Sequence, residues 1–291
     1  MRVLLFGSNG MLGQAVKEQL AGEEDIELFC AARSGADFCL DFTDDNAVAA
    51  CFTAARPDAI INAAAEVSLP KCDESPALAY LVNSRFCSVL AEQCRGTGSY
   101  LVQVSTDHYY VGDGDKKHGE EFPIILLNEY ARTKYAGECL VRAYSHSVVL
   151  RTNIIGFRGI KERPTFLEWA VGALESDAEI TAFTDFYTSP IHVRQFADIL
   201  TGILQLRPEG IYNLASAEVI SKAYFLEKLS QKLFQKPLAA RLGSVHDMPG
   251  IKRADSLGLA TDKLEALLGY QMPSADEVIE SVYQEYMRRK E

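Results

Sequence analysis

Tyr130 and Lys134 stand four residues apart in Tyr-Ala-Arg-Thr-Lys, and Ser105-Thr106-Asp107 precedes them. On a helix that spacing puts the phenol and the amine on one face. An ammonium beside a phenol favours the phenolate and lowers its pKa. Such a phenol can exchange a proton with a carbonyl or alcohol oxygen near neutral pH. A hydroxyl at a strand end, Thr106, can hydrogen-bond the same oxygen. This is chemistry for reducing a carbonyl or oxidising an alcohol. Taken alone, Tyr-x-x-x-Lys is more often a solvated helical pair. The rest of the chain supplies the context that makes it catalytic.

That context begins with Gly7-Ser8-Asn9-Gly10-Met11-Leu12-Gly13. The apolar run Arg2 to Phe6 before it suits a parallel strand buried on both faces. Gln14 to Leu20 after it has helical spacing. Strand, glycine turn and helix form the setting of a dinucleotide cradle. Gly7 allows a tight turn, Gly10 lets backbone N–H groups approach a pyrophosphate, and Gly13 lets the helix pack closely on the strand. The spacing is G-x-x-G-x-x-G rather than G-x-G-x-x-G. The residues expected to touch the cofactor here are Gly7, Asn9, Gly10, Met11 and Leu12.

The second strand, Ile26 to Ala32, ends in Arg33-Ser34, where an NAD site usually places an acid. A cation and a hydroxyl suit a 2′-phosphate, which favours NADP. The alternative is that Arg33 is solvated and NAD serves equally. Asp41-Phe42 is expected near the adenine. Ala63-Ala64-Ala65 would let the backbone lie close to the cofactor, beside Tyr130 and Lys134. Plain helix–sheet packing accounts for any one of these alanines nearly as well.

The elements that must position these groups alternate. Strand-like runs at 2–6, 26–31, 58–62, 100–105 and 147–151 flank helical patterns at 13–21, 45–55, 76–95 and 129–145. The alternation predicts an α/β, Rossmann-type doubly wound parallel sheet with a smaller C-terminal substrate-binding lobe. Residues 1–152 form the dinucleotide domain, with 190–216 returning to it. Residues 153–189 and 217–291 form the lobe. Within the later part, helices are expected at 164–176, 193–206 and 221–235, and a strand at 211–215. Residues 236–260 read as a connection, and 261–290 as a helical tail starting at Asp262 and Ser274.

The 291 residues can bury a large core. A net charge of −11 argues against nucleic acid or an anionic membrane as partner. No apolar run reaches the length of a membrane span. Seven cysteines without a C-x-x-C pair read as free thiols of a cytoplasmic protein. Five histidines without ligand spacing predict no metal site.

With these segments in this order, the chain resembles the extended short-chain dehydrogenase/reductases, and among them the dTDP-4-dehydrorhamnose reductase family. The resemblance covers nearly the whole chain. It rests on Gly7 to Gly13, Leu40 to Asp44, Asn62 to Ala65, Ser105-Thr106-Asp107, Tyr130/Lys134, Arg151-Thr152, Ser189-Pro190 and Leu259 to Leu264. It implies a catalytic set of Thr106, Tyr130 and Lys134. It also implies reduction, with NAD(P)H, of the 4-keto group of a nucleotide-linked 6-deoxy sugar for polysaccharide biosynthesis. Substrate candidates are Asp107, Asn153, Tyr187 and Arg253, with Phe183, Phe186 and Arg241 behind them. His192 reads as structural. A homodimer is compatible with the resemblance.

The chain also departs from the family pattern. A longer His108 to Gly114 segment replaces a short aromatic turn. Asn153-Ile154 stands where Ser-Trp is frequent, and that Asn resembles the nucleotide-sugar epimerases and dehydratases. Glutamates that join subunits through magnesium in some members are not evident, and Ala15 occupies one such position. Two other functions stay open. One is an epimerase or dehydratase, disfavoured by His108 where a dehydratase has Glu. The other is an NADP-binding regulatory subunit without turnover.

Overall fold

The computed structural model describes residues 1–290. The chain forms two compact units. The first comprises Met1–Thr106, Leu126–Arg151 and Ala197–Tyr212, and the second comprises Asp107–Ile125, Thr152–Phe196 and the chain from Asn213 onward.

In the first unit the elements run β1 (Arg2–Phe6), α1 (Met11–Leu20), β2 (Glu27–Ala32), β3 (Phe38–Cys39), α2 (Asp45–Ala55), β4 (Ala59–Asn62), α3 (Leu69–Glu74) and α4 (Pro76–Tyr80). A π-helical turn, Leu81–Arg85, follows. Then come α5 (Phe86–Thr97), β5 (Tyr100–Val104), α6 (Glu129–Arg142) and β6 (Ser147–Arg151). The sheet has seven strands in the order Gly210–Asn213, β6, β5, β4, β1, β2, β3. All pairings among β1 to β6 are parallel. The expected doubly wound α/β fold is therefore the one observed. Strand order reverses between β1 and β4, and ligands of such sheets bind at the carboxyl ends there.

Local chemistry explains these elements. Val3 to Phe6 are fully buried, as a strand covered on both faces requires. The α2 helix starts at Asp44, whose carboxylate accepts from Asn46 N at 3.0 Å and Ala47 N at 3.2 Å, a cap worth about 1 kcal/mol. The α5 helix stops at Gly98, in the left-handed region at φ +76°. Between the layers, Phe42 stacks on Phe86 at 5.0 Å, and Phe6 meets Phe86 edge-on at 5.3 Å.

The second unit is built from shorter pieces. Its core joins helices Phe166–Glu175, Lys222–Phe234 and Ala275–Lys290 through Leu167, Val171, Phe225, Leu229, Val278 and Val282. Thr165 and Glu168 form a capping box at the first of these helices. Ser274 caps the last one. Its hydroxyl accepts from Glu277 N at 3.3 Å, and Glu277 accepts from Ser274 N at 2.7 Å. Strand pairing is brief. Ile180–Phe183 runs parallel to Ala240–Gly243, and Tyr187–Thr188 lies between Ile220–Ser221 and Ser256–Leu257. No helix of the described residues is long and apolar enough to cross a membrane.

Candidate active site

The glycines of the first turn divide by role. Gly7 has φ +83°, and a Cβ on it would lie 2.7 Å from Ala64 N. A Cβ on Gly13 would lie 2.1 Å from Gly7 O. The fold itself demands both of these glycines. Gly10 is different. A Cβ there would meet Gly7 O at 3.2 Å and nothing else within 4 Å. Gly10 is also the N-cap of α1, whose first turn carries no acid. Open space before an uncompensated helix N-terminus fits a pyrophosphate.

The other cofactor candidates surround this turn. Asn9 donates to Ser34 O at 2.5 Å, tying the turn to the tip of β2. Met11 is half-buried and Leu12 buried at the start of α1. Arg33 is exposed. Asp41 accepts from Thr43 N at 2.9 Å and Thr43 Oγ1 at 2.8 Å. These bonds, with Arg33 as a lesser cause, hold its carboxyl below the usual range. The Phe42 ring packs against the core at Phe86 rather than standing free. Ala64 is buried, while Ala63 and Ala65 stay half-exposed at the end of β4.

Thr106, Tyr130 and Lys134 are all buried in the first unit. The α6 helix starts at Asn128, whose side chain accepts from Ala131 N at 3.0 Å. The Lys134 ammonium donates to Val104 O, the last carbonyl of β5, at 2.8 Å. Burial pushes this ammonium down from its usual range, while Cys87 and Glu138 push it back up. The π-helical turn braces the far side of α6. Ser84 Oγ donates to Thr133 O at 2.7 Å, and Asn83 Nδ2 donates to Thr133 Oγ1 at 3.1 Å. Asn83 also accepts from Glu66 N at 2.9 Å, which anchors the segment after the alanines. π-Turns recur at functional sites. The smooth apolar spacing of 76–95 conceals this one.

In the second unit, Asp107 accepts from Asn153 Nδ2 at 2.5 Å. Two of the substrate candidates are thus brought together. Tyr187 is placed by strand pairing, and Arg253 lies close enough to His108 to act on its imidazole. Tyr187 N donates to Asp255 O at 2.8 Å, and Tyr187 pairs with Ser221 and Ser256. Next to Ser221 stands Lys222, which the sequence did not single out. Its ammonium lies 4.1 Å above the Phe166 ring and 5.6 Å from the Phe186 ring. Burial pushes it down to about 8, against the pull of Asp107. Burial, then Arg253, then Lys222 hold the His108 imidazole down at about 4. Neutral His108 therefore sits among two cations in a chain that is acidic overall. Phe183 is half-buried and Arg241 exposed.

The long segment after Asp107 is braced rather than loose. His118 is fully buried and stacks on Tyr110 at 4.1 Å, with Nδ1 2.8 Å from Gly258 O. Asp255 accepts from Gly112 N at 2.8 Å. His192 is also fully buried, with Nδ1 2.8 Å from Ser281 Oγ and Nε2 2.9 Å from Glu285.

The chain is similar to known proteins. The family described as the RmlD substrate binding domain matches residues 1–288. A dTDP-4-dehydrorhamnose reductase from Streptomyces griseus is 34% identical over 221 residues, covering 73% of this chain and 69% of that one. A solved dTDP-4-dehydrorhamnose reductase from Clostridium acetobutylicum has the same fold, with a TM-score of 0.88 and 22% identity, over 99% of this chain and all of that one. The one from Bacillus anthracis, in complex with NADP, gives a TM-score of 0.86 at 25% identity, over 98% of this chain and 99% of that one. The expectation of an oxidoreductase with a nicotinamide dinucleotide accords with these relatives. By a match over almost its whole length, the chain belongs to the RmlD substrate binding domain family, the resemblance its motifs carried.

Proposed function

We propose that this protein is an NADPH-dependent reductase of a nucleotide-linked 4-keto-6-deoxy sugar. The observation that carries this reading is the buried Tyr130/Lys134 face of α6, with the ammonium pinned at 2.8 Å to the end of β5, in the same unit as the open glycine turn. The reduced nicotinamide, when bound, supplies the hydride. Gly7, Asn9, Gly10, Met11 and Leu12 hold its pyrophosphate, and Arg33 selects the 2′-phosphate. The Tyr130 phenol donates its proton to the sugar oxygen as the carbonyl becomes an alcohol. Lys134 stabilises the phenolate left behind. Thr106 holds the same oxygen by a hydrogen bond. In the second unit, Asp107 and Asn153 bind the sugar, while Arg253 and Lys222 meet the diphosphate, with Tyr187 beside them.

The test follows the ultraviolet absorbance of NADPH and NADH with a dTDP-linked 4-keto-6-deoxy sugar. The expected result is oxidation by the wild type that disappears in Tyr130→Phe. Tight NADPH binding with no turnover, unchanged in Tyr130→Phe, would replace this reading with a regulatory one.

A further inference from the structure

Tyr130, Lys134 and Glu138 recur every four residues on α6 and share one face. The reaction proposed above uses the first two. Glu138 is fully buried. Arg151, at the end of β6, donates Nε to both carboxylate oxygens at 3.2 Å and Nη2 to one at 2.8 Å. Ser105 Oγ donates to the same carboxylate at 2.5 Å. Ser105 joins β5 to Thr106, and its N–H donates to Leu150 O at 2.7 Å. One carboxylate thereby ties α6, the tip of β5 and the tip of β6 together.

Stability alone does not account for it, because a buried ion pair is often no better than apolar side chains of similar volume. Lys134 offers another reason. The groups that act on its ammonium are Cys87 on α5 and Glu138 on its own helix, and Tyr130 lies one turn before it on the same face. Arg151 stands behind Glu138. Asn83, Ser84 and Gln103 are neutral, and Arg85 is paired with Asp45. Burial pushes the Cys87 thiol up to about 11, so it is neutral at working pH. Glu138 is then the carboxylate whose proximity pushes the ammonium back up.

We propose that Glu138, balanced by Arg151, is a positioning residue that holds the Thr106 strand tip against the Tyr130/Lys134 face and keeps the Lys134 ammonium charged. This rests on the reading of Tyr130 and Lys134 as the proton-donating pair.

The pH dependence of kcat for NADPH-driven reduction tests it. The pair must carry both protons, so kcat falls on the alkaline side when the pair loses its first one. A nearby negative charge resists that loss whichever group gives up the proton. Glu138→Gln is expected to move the alkaline limb down by about one pH unit. Arg151→Gln leaves Glu138 uncompensated and is expected to move the limb up. The double variant removes both members of the Glu138–Arg151 pair together, so neither is left buried without the other, and it remains measurable where a single variant fails to fold. Its limb is expected to move down, because Glu138 is the member of the pair that acts on Lys134. Glu138→Asp is expected to restore the wild-type limb. A purely structural role would lower kcat or yield in these variants without moving the limb, and that result would overturn the proposal. An active Tyr130→Phe would instead overturn the reading on which it rests.

Discussion

The two units assemble functional groups in opposite ways. In the first, the proposed cradle is seven consecutive residues, Gly7 to Gly13, and the proposed proton-donating pair is one helical turn. In the second, the polar cluster draws on residues 107, 108, 153, 187, 222 and 253. Local assembly makes the first site a property of a strand tip and a helix start. Distant assembly makes the second depend on short strand pairs of two to four residues. The difference predicts that the most damaging single substitutions, at Tyr130 and Gly13, lie in the first unit and cost chemistry or folding directly. Substitutions in the second should weaken recognition by degrees.

The largest effect is expected at Tyr130. Loss of a positioned proton donor costs about a hundred- to ten-thousandfold in rate. Tyr130→Phe should lose that much kcat while its NADPH affinity, read by fluorescence titration, stays within about threefold. A loss of affinity that matched the loss of rate would break the contrast, because Tyr130 would then be mainly a binding residue.

Next come the glycines. Gly13→Ala forces a Cβ to within 2.1 Å of Gly7 O, so the backbone must shift. A destabilisation of about 3 kcal/mol is expected in urea unfolding. Gly10→Ala meets a single atom at 3.2 Å and should lose only about 1 kcal/mol while losing about tenfold in NADPH affinity. Equal loss of stability in both variants would show that the turn is built for folding alone.

This pair also shows what the sequence could reveal. Glycine spacing, apolar strands and the Tyr130/Lys134 face are local signals, and the fold and cradle follow from them. The π-turn at 81–85 was hidden because one extra residue hardly disturbs a twenty-residue apolar pattern. Ala240–Gly243 was read as part of a connection because its strand character comes from pairing with Ile180–Phe183. Lys222 carries no local signal beyond its place at the start of the helix expected at 221–235. Its environment is set by Phe166, Phe186 and Asp107, none of them near it in sequence. Glu138 carries no sequence signal of its own, since its buried partners are Arg151 and Ser105.

Lys222 gives the third test. Burial holds it at about 8 in the folded chain, while the unfolded chain keeps the proton to about 10.4. Between these values the unfolded state binds more protons, so wild-type stability should rise with pH. Lys222→Met should lose that rise and be the more stable protein below pH 8, by about 2 kcal/mol. The wild type's affinity for the sugar nucleotide should fall as pH passes about 8, because the ammonium loses its charge. The variant should bind about tenfold more weakly, with no such fall. An affinity that is pH-independent in both proteins would remove Lys222 from the diphosphate site.

The smallest effects sharpen the comparison most, because they apply one chemical change to both units. Asn128 caps α6 through Ala131 N at 3.0 Å, and Ser221 caps the helix of Lys222 through Tyr224 N at 3.1 Å. Replacing either cap by alanine should cost about 1 kcal/mol. The consequences for activity should differ. Lys134 is held independently by Val104 O, and α6 is braced by Ser84 and Asn83, so Asn128→Ala should leave kcat within about twofold. The Lys222 ammonium rests on two aromatic faces, and its placement follows the first turn of its helix. Ser221→Ala should therefore raise KM for the sugar nucleotide by about two- to fivefold, with kcat unchanged. Thermal unfolding and steady-state kinetics on the two variants measure both quantities. Equal kinetic effects from equal losses of stability would mean that bracing, rather than local assembly, fails to separate the two units.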